Sequence, residues 1–254
     1  MAQRWPERLW IVRHGESAGN VARVAADEAG LQRIDIAERD VDVPLSPLGH
    51  EQSEALAAWF AAMPESERPE VVLASPYRRA VQTAAILREN GALARDAVPT
   101  VLDERLREKE FGILDRLTSA GIRALHPDQA EFRRILGKFY HRPPAGESWC
   151  DVILRLRSAV DSISLHHPGK RVVIVAHQVV VLCMRYLIEN LSEDEILAID
   201  REGDVANCSV TEYALESDRL TEGDLQLLRY NFVAPLRDAG APVTAEPDKP
   251  VAVR

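Results

Sequence analysis

Residues 9–20 read LWIVRHGESAGN. Four apolar residues run directly into Arg13-His14-Gly15. A short, continuous apolar run of this kind predicts a strand covered on both faces. Such a strand ends in Arg-His-Gly for one of two reasons. Either a surface loop happens to carry two basic residues, or His14 faces a ligand that Arg13 helps to hold. Two more stretches bear on the choice. Residues 71–74 (VVLA) and 172–176 (VVIVA) have the same character. The first of these runs into Ser75-Pro76-Tyr77-Arg78-Arg79, and the second into His177. In open parallel sheets ligands bind at the carboxyl ends of the strands. Three basic strand ends therefore predict one site.

Helical segments separate the strands. Ser46 then Pro47 reads as a cap followed by proline at the first helical position, and Pro64 closes that segment. A second helix is predicted from Pro76 to Glu89, stopped by Asn90-Gly91. Ser148 with Asp151 three residues on resembles a capping box and opens a third helix, broken near His166-His167-Pro168-Gly169. Residues 178–190 predict a helix directly after His177; the valines make strand the rival, and length favours helix. This alternation predicts an α/β fold: a three-layer sandwich with a mostly parallel central sheet and helices on both faces. Residues 1–237 are expected to form one domain, with about 95–147 an inserted cap. Residues 238–254 hold three prolines and little apolar bulk, so a loose tail is expected.

The 254 residues suffice for one α/β domain, and 46% hydrophobic with 28% charged residues is ordinary for a globular protein. A net charge of −9 argues against a general nucleic-acid binder. It leaves room for a phosphorylated ligand, because a few clustered arginines dominate the field locally. Cys150, Cys183 and Cys208 show no metal spacing and no CxxC, so they are expected to be core residues in a reducing compartment. The first ten residues lack an apolar signal core, and no run approaches the length of a membrane span. A cytoplasmic location without membrane partners is expected. Oligomeric state is not fixed by the sequence, and a homodimer is compatible with it.

Phosphoryl transfer to histidine needs a neutral imidazole, cations for the phosphate oxygens, polar donors and an acid for the leaving oxygen. The strand ends and their loops supply all four residue types. At this point four ordered motifs resemble the histidine phosphatase superfamily, also called phosphoglycerate mutase-like. They are RHGESAGN at 13–20, SPYRRAVQTA at 75–84, LREKEFG at 106–112 and VAHQ at 175–178. The resemblance spans roughly residues 9–213. It implies that His14 forms a phosphohistidine and that Arg13, Arg79 and Asn20 grip the phosphate. By the same resemblance His177 helps to hold the oxygens, and Glu108 is the general acid. Arg79 is preferred to Arg78 because it precedes Ala80, and Glu104 and Glu110 compete with Glu108. Ser17 is expected to donate to substrate, and Gly15 to let the backbone approach phosphate closely. His50, His126, His141, His166 and His167 match no motif and are expected on the surface or in turns. No metal and no cofactor are implied.

Residues 138–156 (KFYHRPPAGESWCDVILRL) and the pair His177-Gln178 resemble the fructose-2,6-bisphosphatase branch. That makes Gln178, Lys138 and Arg142 candidate substrate contacts, the latter two for a second anionic group. Glu147 either touches substrate or favours the helix dipole behind it. The chain has no GxxxxGK[ST] motif, so a phosphatase domain without a kinase is expected. The implied activity is hydrolysis of a small phosphorylated metabolite. Arg133-Arg134 keep a mutase as the alternative, and a catalytically silent phospho-ligand-binding protein is the third reading.

Overall fold

The computed structural model describes residues 4–97, 99–219 and 222–245. Among them a six-stranded sheet runs β3-β2-β4-β1-β5-β6. The strands are β1 (Arg8–Arg13), β2 (Val71–Ala74), β3 (Val101–Leu102), β4 (Arg171–Ala176), β5 (Val210–Arg219) and β6 (Glu222–Phe232). β3, β2, β4 and β1 are parallel, and β5 and β6 complete the sheet antiparallel. The three apolar runs read from the sequence form the sheet centre.

Alternation along these strands supplies both faces of the sheet. Leu9, Ile11, Val172 and Ile174 pack on α6 (Trp149–His166) and α7 (Gln178–Ile188). Trp10, Val12, Val173 and Val175 pack on α2 (Pro47–Ala61) and α3 (Arg78–Glu89). Both faces are covered, which is why the strands read as unbroken apolar runs. Caps place the helix starts where the sequence puts two of them. Ser46 accepts from the Gly49 amide, and Ser148 and Asp151 form a reciprocal capping box. The second helix starts at Arg78 with Tyr77 as its cap residue, two residues later than predicted.

Register aligns the ends of the three central strands. Arg13 pairs with Ala176, Val12 with Val175, and Ala74 with Val175. The amides of His14 and Ser75 then bond the carbonyls of Ala176 (2.9 Å) and Val175 (3.0 Å). His14, Ser75 and His177 thus leave the sheet side by side.

The insertion carries α4 (Ser119–Leu125) and α5 (Pro127–Tyr140), which is broken at Gly137 (φ 77°). It is tied to the body by an isolated bridge between Arg33 and Leu117. α8 (Glu193–Glu202) packs against α7, and α9 (Ala234–Asp238) against α2. Of the expected tail, Pro242 and Thr244 accept hydrogen bonds from the Gln52 amide, both at 2.9 Å. Residues 246–254 lie outside the described residues. No described helix is long and apolar enough to cross a membrane.

One close approach governs the loop after β1. A Cβ on Gly49 would lie 1.9 Å from the Glu16 carbonyl oxygen, and one on Gly15 would lie 2.4 Å from the Gly49 carbonyl oxygen. Both contacts are backbone, which yields little. Gly49→Ala is expected to lower unfolding free energy by about 2–3 kcal/mol through this overpacking. Gly203→Ala, whose Cβ would meet nothing within 4 Å, is expected to stay within about 0.5 kcal/mol of wild type. Denaturant midpoints of the two variants check this, and equal midpoints would remove the backbone clash as the reason for glycine.

Candidate active site

His14 is buried at the end of β1. Its Nδ1 lies 2.6 Å from the Gly15 carbonyl oxygen. A carbonyl only accepts, so Nδ1 carries the proton. On the other side of the ring, Arg79 Nε donates to Nε2 at 3.2 Å. The two bonds demand the same tautomer, with the lone pair on Nε2. Burial, then the guanidinium groups of Arg79 and Arg13, hold the His14 pKa well below the usual histidine value. The ring is a neutral imidazole.

The cations come from β1 and α3. Arg13 is buried and donates to the Val205 carbonyl. Arg79 is buried on the first turn of α3, while Arg78 is exposed, which decides between them. Helix α1 (Ala18–Glu28) adds its N-terminus. Ser17 caps it and Asn20 returns the bond to the Ser17 amide at 2.9 Å. Ser17, Gly19 and Asn20 all line the cavity in front of His14. A helix N-terminus favours an anion there. The cavity measures about 160 Å³.

His177 stands behind His14, ring centroids 5.1 Å apart, with Tyr77 on its other side at 5.2 Å. Its Nε2 is 2.7 Å from Ser75 Oγ. Its buried Nδ1 has no hydrogen-bond partner among the described residues. Burial, then Arg79 and His14, hold its pKa well below the usual value.

Glu108 reaches the cavity from the loop after a 3-10 turn at Glu104–Leu106. Burial raises its carboxyl to about 7, against the opposing pull of the Lys109 amide and Arg79. A network holds this loop. Glu147 accepts from Arg107 (2.8 Å) and from Arg155 (2.9 Å), and Arg155 also donates to the Glu108 carbonyl at 3.2 Å. Glu104 and Glu110 are exposed and do not line the cavity.

The structure therefore brings together Arg13, His14, Ser17, Asn20, Arg79, Glu108 and Gln178 around one cavity, with His177 directly behind. Four expectations are corrected. Lys138 lies beyond the break in α5 and pairs with Asp200 at 2.8 Å, away from the cavity. Arg142 pairs with Asp151 at the start of α6, where the helix's own first turn already needs that carboxylate. Gly15 does not line the cavity; its missing Cβ makes room for Gly49 and Ser53 rather than for a ligand. His141 is buried, and it lines a smaller cavity together with Lys109 and Arg133. Glu147 serves the loop and not the cavity. Five charged lining residues went unread: Arg23, Glu38, Asp40, Asp115 and Arg116. They come from α1 and from irregular loops, where no periodicity marks them. Arg116 sits at φ 58° and donates to the carbonyls of Ile36 and Glu38.

Comparison with known proteins agrees with this geometry. The pattern of the histidine phosphatase superfamily (branch 1) matches residues 9–227. The chain is 27% identical over 179 residues to a Yersinia enterocolitica protein named "Probable phosphoglycerate mutase GpmB", covering 70% of this chain and 72% of that one. It is 30% identical over 234 residues to a Caenorhabditis elegans 6-phosphofructo-2-kinase/fructose-2,6-bisphosphatase, covering 87% of this chain. The match spans 45% of that bifunctional protein. The structure of a mycobacterial glucosyl-3-phosphoglycerate phosphatase superposes with a TM-score of 0.67 at 26% identity, over 89% of this chain and 99% of that one. The matched span contains every strand end that builds the cavity, and the chain belongs to the histidine phosphatase superfamily, branch 1.

Proposed function

We propose that the protein is a phosphatase that hydrolyses a small phosphomonoester through a phosphohistidine on His14. One observation carries the reading: a neutral His14, its Nδ1–H held by a carbonyl, turns Nε2 toward Arg79 beside a cavity that also holds a carboxyl near pH 7. In the first step Nε2 bonds to phosphorus and the bond to the alcohol oxygen breaks. Glu108 gives that oxygen its proton, so the alcohol leaves neutral. Arg79, Arg13 and the N-terminus of α1 face the equatorial oxygens. His177 Nδ1, buried and unbonded, gains a partner when a phosphoryl oxygen arrives. In the second step water attacks phosphorus, Glu108 takes its proton back, and the phosphorus–nitrogen bond breaks. The products are inorganic phosphate and the starting imidazole.

Named phosphatases among the relatives support hydrolysis, and the named mutase is the reason to test transfer as well. In a mutase the same intermediate would return phosphate to a bound acceptor. Gln178, at the start of α7, lines the cavity and donates to Asp204 at 2.8 Å, which supports a role in shaping the substrate side.

His14→Ala is expected to abolish phosphate release from a panel containing p-nitrophenyl phosphate, fructose 2,6-bisphosphate and both phosphoglycerates. Release at the wild-type rate would end the reading, and interconversion of the phosphoglycerates without release would convert it to a mutase. Glu108→Gln is expected to slow alkyl phosphates by about 10²- to 10⁴-fold, the usual worth of a general acid. p-Nitrophenyl phosphate, whose leaving group needs little help, should slow far less. Because the acid must be protonated, wild-type kcat/KM for an alkyl phosphate should fall as pH rises through about 7. That limb should be absent from the variant; a limb shared by both would take Glu108 out of the acid role.

A further inference from the structure

The phosphate-gripping arginine already holds an anion. Arg79 donates from one terminal nitrogen to Asp40 Oδ1 at 3.0 Å and from the other to Oδ2 at 3.3 Å. The first nitrogen also reaches the Asp40 backbone carbonyl at 2.6 Å. This is a two-pronged carboxylate–guanidinium pair, and Asp40 lines the same cavity as His14.

The two partners are unequal. The Arg79 side chain is 6% exposed and that of Asp40 is 42% exposed. A buried guanidinium left without an anion is costly, whereas a half-exposed carboxylate regains water when released. Arg79 therefore needs a counter-charge when no substrate is bound, and Asp40 can give up that place cheaply. Asp40 opens a 3-10 turn (Asp40–Asp42), outside α1 and α2, so its side chain is not locked into a helix. Arg116 pins the loop just before it, through the carbonyls of Ile36 and Glu38.

Resting on the phosphatase reading, we propose that Asp40 is a specificity-determining residue, an internal carboxylate that occupies the phosphoryl-binding guanidinium until a dianionic phosphoryl group displaces it. A singly charged ligand would trade one monoanion on Arg79 for another and gain nothing there. A phosphate dianion brings a second charge, which Arg13 and the N-terminus of α1 can meet. The pair thus favours phosphomonoester dianions over carboxylates and phosphodiesters.

The test separates competition from positioning, because the two give opposite signs. Inorganic phosphate is titrated calorimetrically into wild type and Asp40→Asn, a measurement that needs no turnover. The proposal expects phosphate to bind roughly two- to fivefold more tightly to the variant, the size of one partly exposed ion pair. KM for p-nitrophenyl phosphate should fall by the same factor. A second variant, Asp40→Ala, opens room for a free carboxylate. Acetate should inhibit it competitively, at concentrations several-fold lower than those affecting wild type. Unchanged or weaker phosphate binding by Asp40→Asn would overturn the proposal and make Asp40 an orienting partner of Arg79. Equal acetate sensitivity of Asp40→Ala and wild type would overturn it too. Tighter phosphate binding in a protein that releases no phosphate from any ester would uphold the competition and refute the phosphatase reading instead.

Discussion

The bond from His14 Nδ1 to the Gly15 carbonyl decides what this protein can do. It fixes the imidazole tautomer, and so which nitrogen faces the cavity. The Glu16 amide, in the same peptide plane as that carbonyl, donates to Gln52 Oε1 of α2 at 2.8 Å, and the Gly15 residue behind it is clamped. Its amide donates to Thr83 Oγ1 on α3 at 3.1 Å, and its α-carbon is pressed against the Gly49 backbone and Ser53 of α2. Thr83 in turn donates back to the Arg79 carbonyl at 2.9 Å. The packing of α2 on α3, driven by burial of residues such as Leu56, Phe60 and Leu87, thus reaches the imidazole through two hydrogen bonds.

Electrostatics complete the arrangement. An acidic chain concentrates two buried guanidinium groups and a helix N-terminus at one cavity. Burial first, and then those cations, hold the pKa of both histidines well below the usual value, which favours the neutral ring a nucleophile requires. Glu108 is pushed the other way by burial, toward holding its proton. Opposite displacements of an acid and a base within one cavity are what acid–base chemistry near neutral pH requires. Asp40 adds a counter-charge to the buried Arg79.

Much of this was legible in the sequence, for definite reasons. The three central strands are covered on both faces, so their apolar runs are continuous and their ends are easy to place. His14, Arg79 and His177 follow from those ends. Ser148 and Asp151 could be read because a capping box is a local interaction. The antiparallel strands β5 and β6 were not read: polar and charged residues interrupt their apolar ones, and β5 joins the sheet beside β1, a neighbour distant in sequence. Lys138 and Arg142 were misplaced because an isolated charge says nothing about which carboxylate will meet it. Asp200 lies on a helix far along the chain, and Asp151 was read only as a cap. Asp40 was invisible for the same reason, since its partner, Arg79, is distant in sequence. Gly15 was read as the right residue for the wrong reason, because its constraint comes from α2.

The central claim is that His14 Nε2 carries the phosphoryl group between substrate and water. Rapid acid-free quenching of turnover with a radiolabelled phosphomonoester, followed by peptide mapping, tests it most directly. The account predicts an acid-labile, base-stable label on the peptide containing His14, formed and discharged within the turnover time. Steady hydrolysis with no label on that peptide at any time would contradict it.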